Sequence, residues 1–267
     1  MLLTLLLAAT VPPAATTEPA ALAPTGKWLV EYADTMCILS RGYGTGADKV
    51  TLALRPLPMG TETQVALFTE GRGAPVPEGK AEITLMPAGQ PTTGTYQRFT
   101  LPKQAVRIAT MYFDGAALDG LDKTTTIALR LGKEVHFLAV PGIAGAMKAL
   151  TACQTDLLKG WGIEMGERAN LSRPARGDPA RFFGPSAYPE DAVRARQQGR
   201  AISVVTIATT GKVETCTIVA TSKSPSLDAA TCATLRGQGH FSPALDLAGH
   251  PVESHLIVPV RWVLPGS

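Results

Sequence analysis

Between Trp28 and Val140, short runs rich in β-branched, aromatic and other apolar residues alternate with clusters of Gly, Pro and Asp. Nine runs stand out: Trp28 to Tyr32, Cys37 to Leu39, Lys49 to Leu54, Gln64 to Phe68, Ala81 to Met86, Tyr96 to Leu101, Arg107 to Phe113, Thr125 to Leu131 and Val135 to Val140. Short runs of this kind, punctuated by turn formers, read as strands, and many at regular spacing read as a β-sandwich or barrel-like module. The period then changes. Across Gly142 to Trp161, Met147, Leu150, Cys153, Leu157 and Leu158 recur at helical spacing, and Gly160 and Gly162 supply stop signals. The pattern predicts a β-rich, sandwich-like domain over 27–165 that ends in one helix.

Residues 166–187 lose all periodicity and hold Gly, Pro and four Arg, so they read as a solvated linker. Periodicity returns from 188 to 267. Tyr188-Pro189-Glu190 opens a helix, with Pro in its first turn and acidic residues at the positive end of its dipole, running to about Gln198 before Gly199 stops it. Ala201 to Ala208 and Val213 to Ala220 form a hairpin around Thr209-Thr210-Gly211-Lys212, where Gly211 can take a positive φ. A helix follows from Ser226 to about Arg236, and His255 to Leu264 is a final strand. The order is helix, strand, strand, helix, strand, and the fold class for the whole chain is α+β.

Composition narrows the function. With 45% hydrophobic and 18% charged residues the chain is too apolar for global disorder, and no stretch reaches the roughly 20 apolar residues of a spanning helix. Lys plus Arg at 25 against Asp plus Glu at 22 gives +3, without the clustered basic footprint of a nucleic-acid binder. Residues 1–24 begin with an uncharged apolar run, Met1 to Val11, and continue through Pro12 and Pro13 into an Ala/Thr/Pro-rich stretch, which reads as a signal peptide and leader. Export out of the cytoplasm follows from that reading, and a membrane anchor is the alternative. Cys37, Cys153, Cys216 and Cys232 are an even set in an exported chain, where disulfides persist. Four cysteines allow three pairings, and none sits in Cys-x-x-Cys spacing.

Candidate chemistry is sparse. Gly42-x-Gly44-x-Gly46 lacks the Lys-Ser/Thr pair and the helix of a phosphate loop, so it reads as a turn. Asp114, Asp119 and Asp122, beside Gly115 and Gly120, read as turn carboxylates rather than calcium or protease residues. His250 and His255 sit five apart on a loop-to-strand path with His136 and His240 elsewhere, a poor zinc pattern. No Gly-x-Ser-x-Gly elbow occurs. No enzyme activity, cofactor or metal is expected.

The C-terminal residues carry a resemblance. The helix opened by Tyr188-Pro189 with Ala192, Arg194 and Arg196, the glycines Gly199 and Gly211 that bracket a strand, Val213, Ile218, Leu227-Asp228-x-Ala230, Phe241-x-Pro243-Ala244, Gly249-x-Pro251-Val252 and the strand Val258-Pro259-Val260-Arg261-Trp262 follow in order. Together they resemble the C-terminal domain of TonB-family energy transducers over about 188–264. Thr221-Ser222-Lys223 departs from the Ser-Ser-Gly often found after the second strand, and Gly237 and Gly239 replace basic and aromatic residues. A transducer's spanning helix and long Pro-rich stalk are not seen within these residues; the resemblance implies receptor docking in the periplasm of a Gram-negative cell, or from an inner-membrane anchor facing the periplasm, and leaves coupling to the proton-driven motor open.

The resemblance implies docking of extended peptides, such as the N-terminal segments of outer-membrane transporters, by strand addition to the edge of the final strand. The expected edge comprises Leu256, Ile257, Val258, Val260, Arg261, Trp262 and Val263, with Pro259 deleting one donor as edge strands tolerate. Core packing of alternate side chains is the competing reading, so the backbone edge is the firmer expectation. Self-association is a further partner expectation, and nucleic acid is not one. Cys216, on the strand face toward the second helix, and Cys232, on that helix, are expected to pair, which leaves Cys37 with Cys153. The alternative function places ligand or protein binding in the β-rich domain, with the C-terminal domain as scaffold or dimerisation element.

Overall fold

The computed structural model describes residues 20–264 apart from Thr61, Arg72, Pro102 and Met165; most of the expected leader therefore lies outside the described residues. Nine strands follow one another: β1 (Leu29–Ala33), β2 (Met36–Tyr43), β3 (Val50–Pro56), β4 (Glu62–Glu70), β5 (Val76–Met86), β6 (Thr92–Leu101), β7 (Val106–Asp114), β8 (Thr126–Leu131) and β9 (Glu134–Ala139). They form one antiparallel sheet in the order β1-β2-β3-β4-β7-β6-β5-β8-β9. Each of the nine runs legible in the sequence is one of these strands.

The sheet rolls because one face is apolar and strands twist right-handedly, so the inner face closes around a core. Leu39, Leu52, Leu54, Leu67, Ile83, Met111, Ile127 and Leu129 from six different strands meet in a single buried cluster. The stretch from Leu22 to Thr25 bridges the gap between β9 and β2. The Leu22 N–H donates to the Phe137 carbonyl (2.7 Å) and the Leu22 carbonyl accepts from Ala139 (3.1 Å), while the Thr25 N–H donates to Gly42 (3.0 Å) and the Ala23 carbonyl accepts from Gly44 (3.2 Å). Of the two forms that the run pattern allows, the sheet takes the barrel-like one. The last residues of the expected leader, Leu22 to Pro24, are part of this closure. Inside it Tyr43 is fully buried, and that burial pushes its phenol up to about 12, against the opposing pull of Arg41.

Helix α1 (Ile143–Gly160) lies against the sheet through Ile143, Ala146, Leu150 and Cys153. Cys153 is bonded to Cys37 of β2 with 6.0 Å between Cα atoms, a link across 116 residues. In the chain-entropy account a loop of that length contributes about 4–5 kcal/mol.

The remaining elements are β10 (Leu171–Arg173), α2 (Glu190–Arg194), β11 (Gly199–Ile207), β12 (Val213–Ala220), α3 (Pro225–Gln238), β13 (Ala244–Asp246), β14 (Pro251–Val252) and β15 (Ser254–Trp262). β12, β11 and β15 form an antiparallel sheet in that order, and β10, β13 and β14 form a smaller one. Cys216 of β12 and Cys232 of α3 are bonded with 5.5 Å between Cα atoms, tying helix to sheet. Gly211 takes φ +82° in the β11–β12 hairpin, and a Cβ there would lie 2.0 Å from the Phe241 carbonyl oxygen, so only glycine fits.

Residues 166–187, expected as a solvated connector, are held against the C-terminal domain instead. β10 pairs with β13, and Arg176 and Ser242 exchange backbone hydrogen bonds at 3.0 and 2.7 Å. Phe182 meets Phe241 edge-on at 5.3 Å, and Phe183 meets Trp262 at 5.4 Å. Their apolar side chains are anchored on irregular backbone, so they leave no period for a sequence pattern to register. Helix α2 ends at Arg194 rather than near Gln198, because Arg196 takes φ +51° and turns the chain toward β11.

The departure at Thr221-Ser222-Lys223 has a structural counterpart. Lys223 adopts φ +69°, the left-handed region natural to glycine. The Asp228 carboxylate holds this turn, accepting the Ser222 N–H at 2.8 Å, the Ser222 hydroxyl at 2.7 Å and the Thr221 hydroxyl. Lys223→Gly is expected to stabilise the protein by about 1 kcal/mol in urea unfolding, since the Cβ penalty of roughly 1–2 kcal/mol is partly offset by glycine's freer unfolded chain. A loss of stability would contradict this account of the turn.

Candidate functional site

Side chains alternate across a strand, so the two faces of the β12-β11-β15 sheet can be read from its register. Val258 pairs with Ser203, Val260 with Ala201 and Trp262 with Gly199, and these positions, with Val205 and Ile207, face the helical side. Trp262 is buried there, donates its Nε1 proton to the Thr231 hydroxyl (3.0 Å) and meets Tyr188 edge-on at 5.2 Å. The intervening positions face the β-rich domain. Ile257 pairs with Val204 and Pro259 with Ile202, and Ile202, Val204 and Ile257 pack with Leu57, Leu158 and Ile163 in a separate buried cluster.

Polar contacts frame that apolar seam. Arg200 forms an ion pair with Glu62 of β4, and the Arg261 guanidinium lies 5.2 Å from the centre of the Tyr112 ring on β7. Gln154 of α1 donates to the Pro56 carbonyl at 2.8 Å beneath it. Burial pushes the Arg55 guanidinium down from its ordinary value, with nearby Glu31 opposing, and its Nη1 donates to Gln64 at 3.1 Å.

With both faces covered, the sheet's exposed backbone lies at its edges. Among the described residues β15 pairs only with β11. In an antiparallel ladder the two backbone groups of one residue point inward and those of the next point outward. The His255 N–H donates to Glu167 Oε1 at 2.6 Å, away from β11, which sets the phase of the alternation. His255, Ile257, Pro259 and Arg261 therefore turn their backbone groups outward, while Val258 and Val260 bond to β11. Pro259 falls where its missing N–H costs no ladder bond. Glu167 Oε2 also lies 2.7 Å from His255 Nδ1, so a carboxylate on the segment before β10 is clasped to the head of the edge strand.

Beside this edge runs a groove of about 980 Å³. Its floor is His255 to Pro259. One wall is the turn after β7 with Asp114 and Asp119, together with Met59 and Glu62, and the other is the stretch from Leu171 to Ala180 with Arg176 and Asp178.

The expected edge residues divide accordingly. Ile257, Val258, Val260 and Trp262 are buried in one core or the other, and Leu256 is half-buried against the helical side. Arg261 is exposed, and Val263, beyond the end of β15, is 41% exposed. Their side chains serve packing on alternate faces, and what the groove meets is mainly their backbone. Glu167 was invisible in the sequence because it sits in an aperiodic stretch. Asp114 does form a turn, accepting the Ala116 N–H at 3.0 Å, yet it also lines the groove.

A small α+β domain, with helix on one face of a three-stranded sheet and β15 at one of its two edges, is the class of structure that these residues define. Residues 185–264 match the family model described as Gram-negative bacterial TonB protein C-terminal, so this part of the chain carries a TonB C-terminal domain. The family connects the domain with transport in the Gram-negative envelope and with outer-membrane transporters as the general kind of partner. No curated protein and no solved structure matches the chain. Among the described residues, no helix is long and apolar enough to cross a membrane.

If the shared seam couples the domains, Ile202→Ala, which empties it, is expected to cost about 3 kcal/mol. Amide exchange is then expected to accelerate both in β11 and in α1, whose Leu158 lines the same seam. Acceleration confined to the C-terminal sheet would show that the seam does not couple them.

Proposed function

We propose that the protein docks extended peptide segments, of the kind found at the N-termini of outer-membrane transporters, by adding them as a further strand to the outer edge of β15, and that it does so in the periplasm. The open edge of β15 beside a groove is the observation that carries this reading. Recognition of this type is mostly main chain: the edge supplies unpaired carbonyls and amides, and the incoming segment completes the ladder. The family match over 185–264 and the two disulfides, which suit an oxidising compartment, support the same reading. It assigns binding, with no catalytic step. The seam to the β-rich domain also gives the C-terminal domain a scaffolding contribution, but a scaffold alone does not account for an edge left unpaired.

Full-length protein titrated with synthetic N-terminal peptides of outer-membrane transporters is expected to bind them at micromolar to millimolar concentration. Pro259→Val restores an outward N–H at the centre of the edge. One added backbone hydrogen bond of about 1 kcal/mol is expected to tighten binding roughly fivefold. Binding that persists with unchanged affinity in the variant would place the peptide elsewhere on the molecule. No binding by the wild-type chain would overturn the reading.

A further inference from the structure

The groove is rich in acceptors. Along its floor His255, Ile257 and Pro259 each turn a carbonyl outward, and among the described residues no side-chain or loop donor reaches those oxygens. Among the described residues Ile257 alone offers a free outward amide on that floor, because Glu167 takes the His255 N–H and proline has none. The wall supplied by the β-rich domain adds Asp114 and Asp119, both exposed. Among the described residues neither carboxylate has a basic partner within ion-pair distance, and Asp114 Oδ1 is engaged only by the Ala116 N–H. The third acid on that side, Glu62, is neutralised by Arg200. On the opposite wall Arg181 holds Asp178 at 3.3 Å, so among the described residues Arg176 is that wall's cation without a carboxylate partner, one positive charge against the two free carboxylates across the groove.

An added strand continues the pleat of β15, so its residues opposite Ile257 and Pro259 point their side chains to the same face, toward the β-rich domain. We infer that the groove selects extended segments carrying Lys or Arg at alternate positions, with those cations directed at Asp114 and Asp119. The inference rests on strand addition at β15 and goes beyond it by making the β-rich domain the wall that reads peptide charge. Backbone pairing supplies the common affinity. The two free carboxylates, with the surplus of carbonyls between them and the edge, supply the preference.

The test uses the full chain and three labelled seven-residue peptides, read by fluorescence anisotropy. All have Val at one set of alternate positions, and the other set is Thr, Lys or Glu. The Lys peptide is expected to bind roughly tenfold more tightly than the Thr peptide at low salt, as two exposed ion pairs allow, and the Glu peptide more weakly than either. Raising the salt concentration is expected to erase most of that spread. The double variant Asp114→Asn, Asp119→Asn keeps the turn acceptor at 114. It is expected to bring the Lys peptide to the affinity of the Thr peptide while leaving the Thr peptide unchanged. Equal binding of Thr and Lys peptides to the wild type, or a Lys preference that survives in the double variant, would overturn charge selection and leave strand docking standing. Failure of all three peptides to bind would overturn docking itself.

Discussion

Strand β11 is buried from Ala201 to Ile207, on both faces at once, and the surface available on the C-terminal domain follows from that constraint. A sheet with one wet face shows alternating apolar and polar residues; AISVVTI alternates hardly at all, because one side packs on α3 and its surroundings and the other on the β-rich domain. Ile202, Val204 and Ile257 give the second face its seam, and Arg200 and Arg261 reach across beside it to Glu62 and Tyr112. With neither face free, an extended partner can add only at an edge.

An unpaired edge is also an aggregation hazard, and β15 carries two of the devices that restrain one. Pro259 removes a donor at the middle of the outward row, and Glu167 occupies another at its head. The walls of the groove restrict approach from the side. Together these leave an edge that an extended segment can complete but a broad, flat sheet cannot easily meet. Segment 166–187 contributes to this directly, since Glu167 and the groove wall from Leu171 to Ala180 both belong to it.

Much of the fold was legible because it depends on periodicity. All nine strands of the β-rich domain announced themselves as short apolar runs between turn formers, and α1 as a change from period two to period 3.6. The positive φ at Gly211 followed from turn chemistry, the joining of Cys216 to Cys232 from the faces of strand and helix, and that of Cys37 to Cys153 as the pair then left over. What lacks a period was missed. Phe182 and Phe183 pack half-buried against the core from irregular backbone, and β10, β13 and β14 are too short to show alternation. The site was legible as a strand and illegible as a groove. Nothing local to Asp114 or Asp119 says that a second domain will bring them alongside residues 140 positions later; that follows from the seam, a tertiary fact.

The most direct test of the open edge is residue-resolved amide exchange along β15 in the free, full-length protein. Inward Val258 and Val260 N–H groups, bonded to β11, are expected to exchange slowly, and His255 to share some of that protection through Glu167, while the outward Ile257 N–H exchanges far faster despite its buried side chain. Alternation of fast and slow amides in that phase is the result predicted by an edge free to accept a strand. Protection of Ile257 equal to that of Val258 would mean that the edge is already covered, and would contradict the account at its centre.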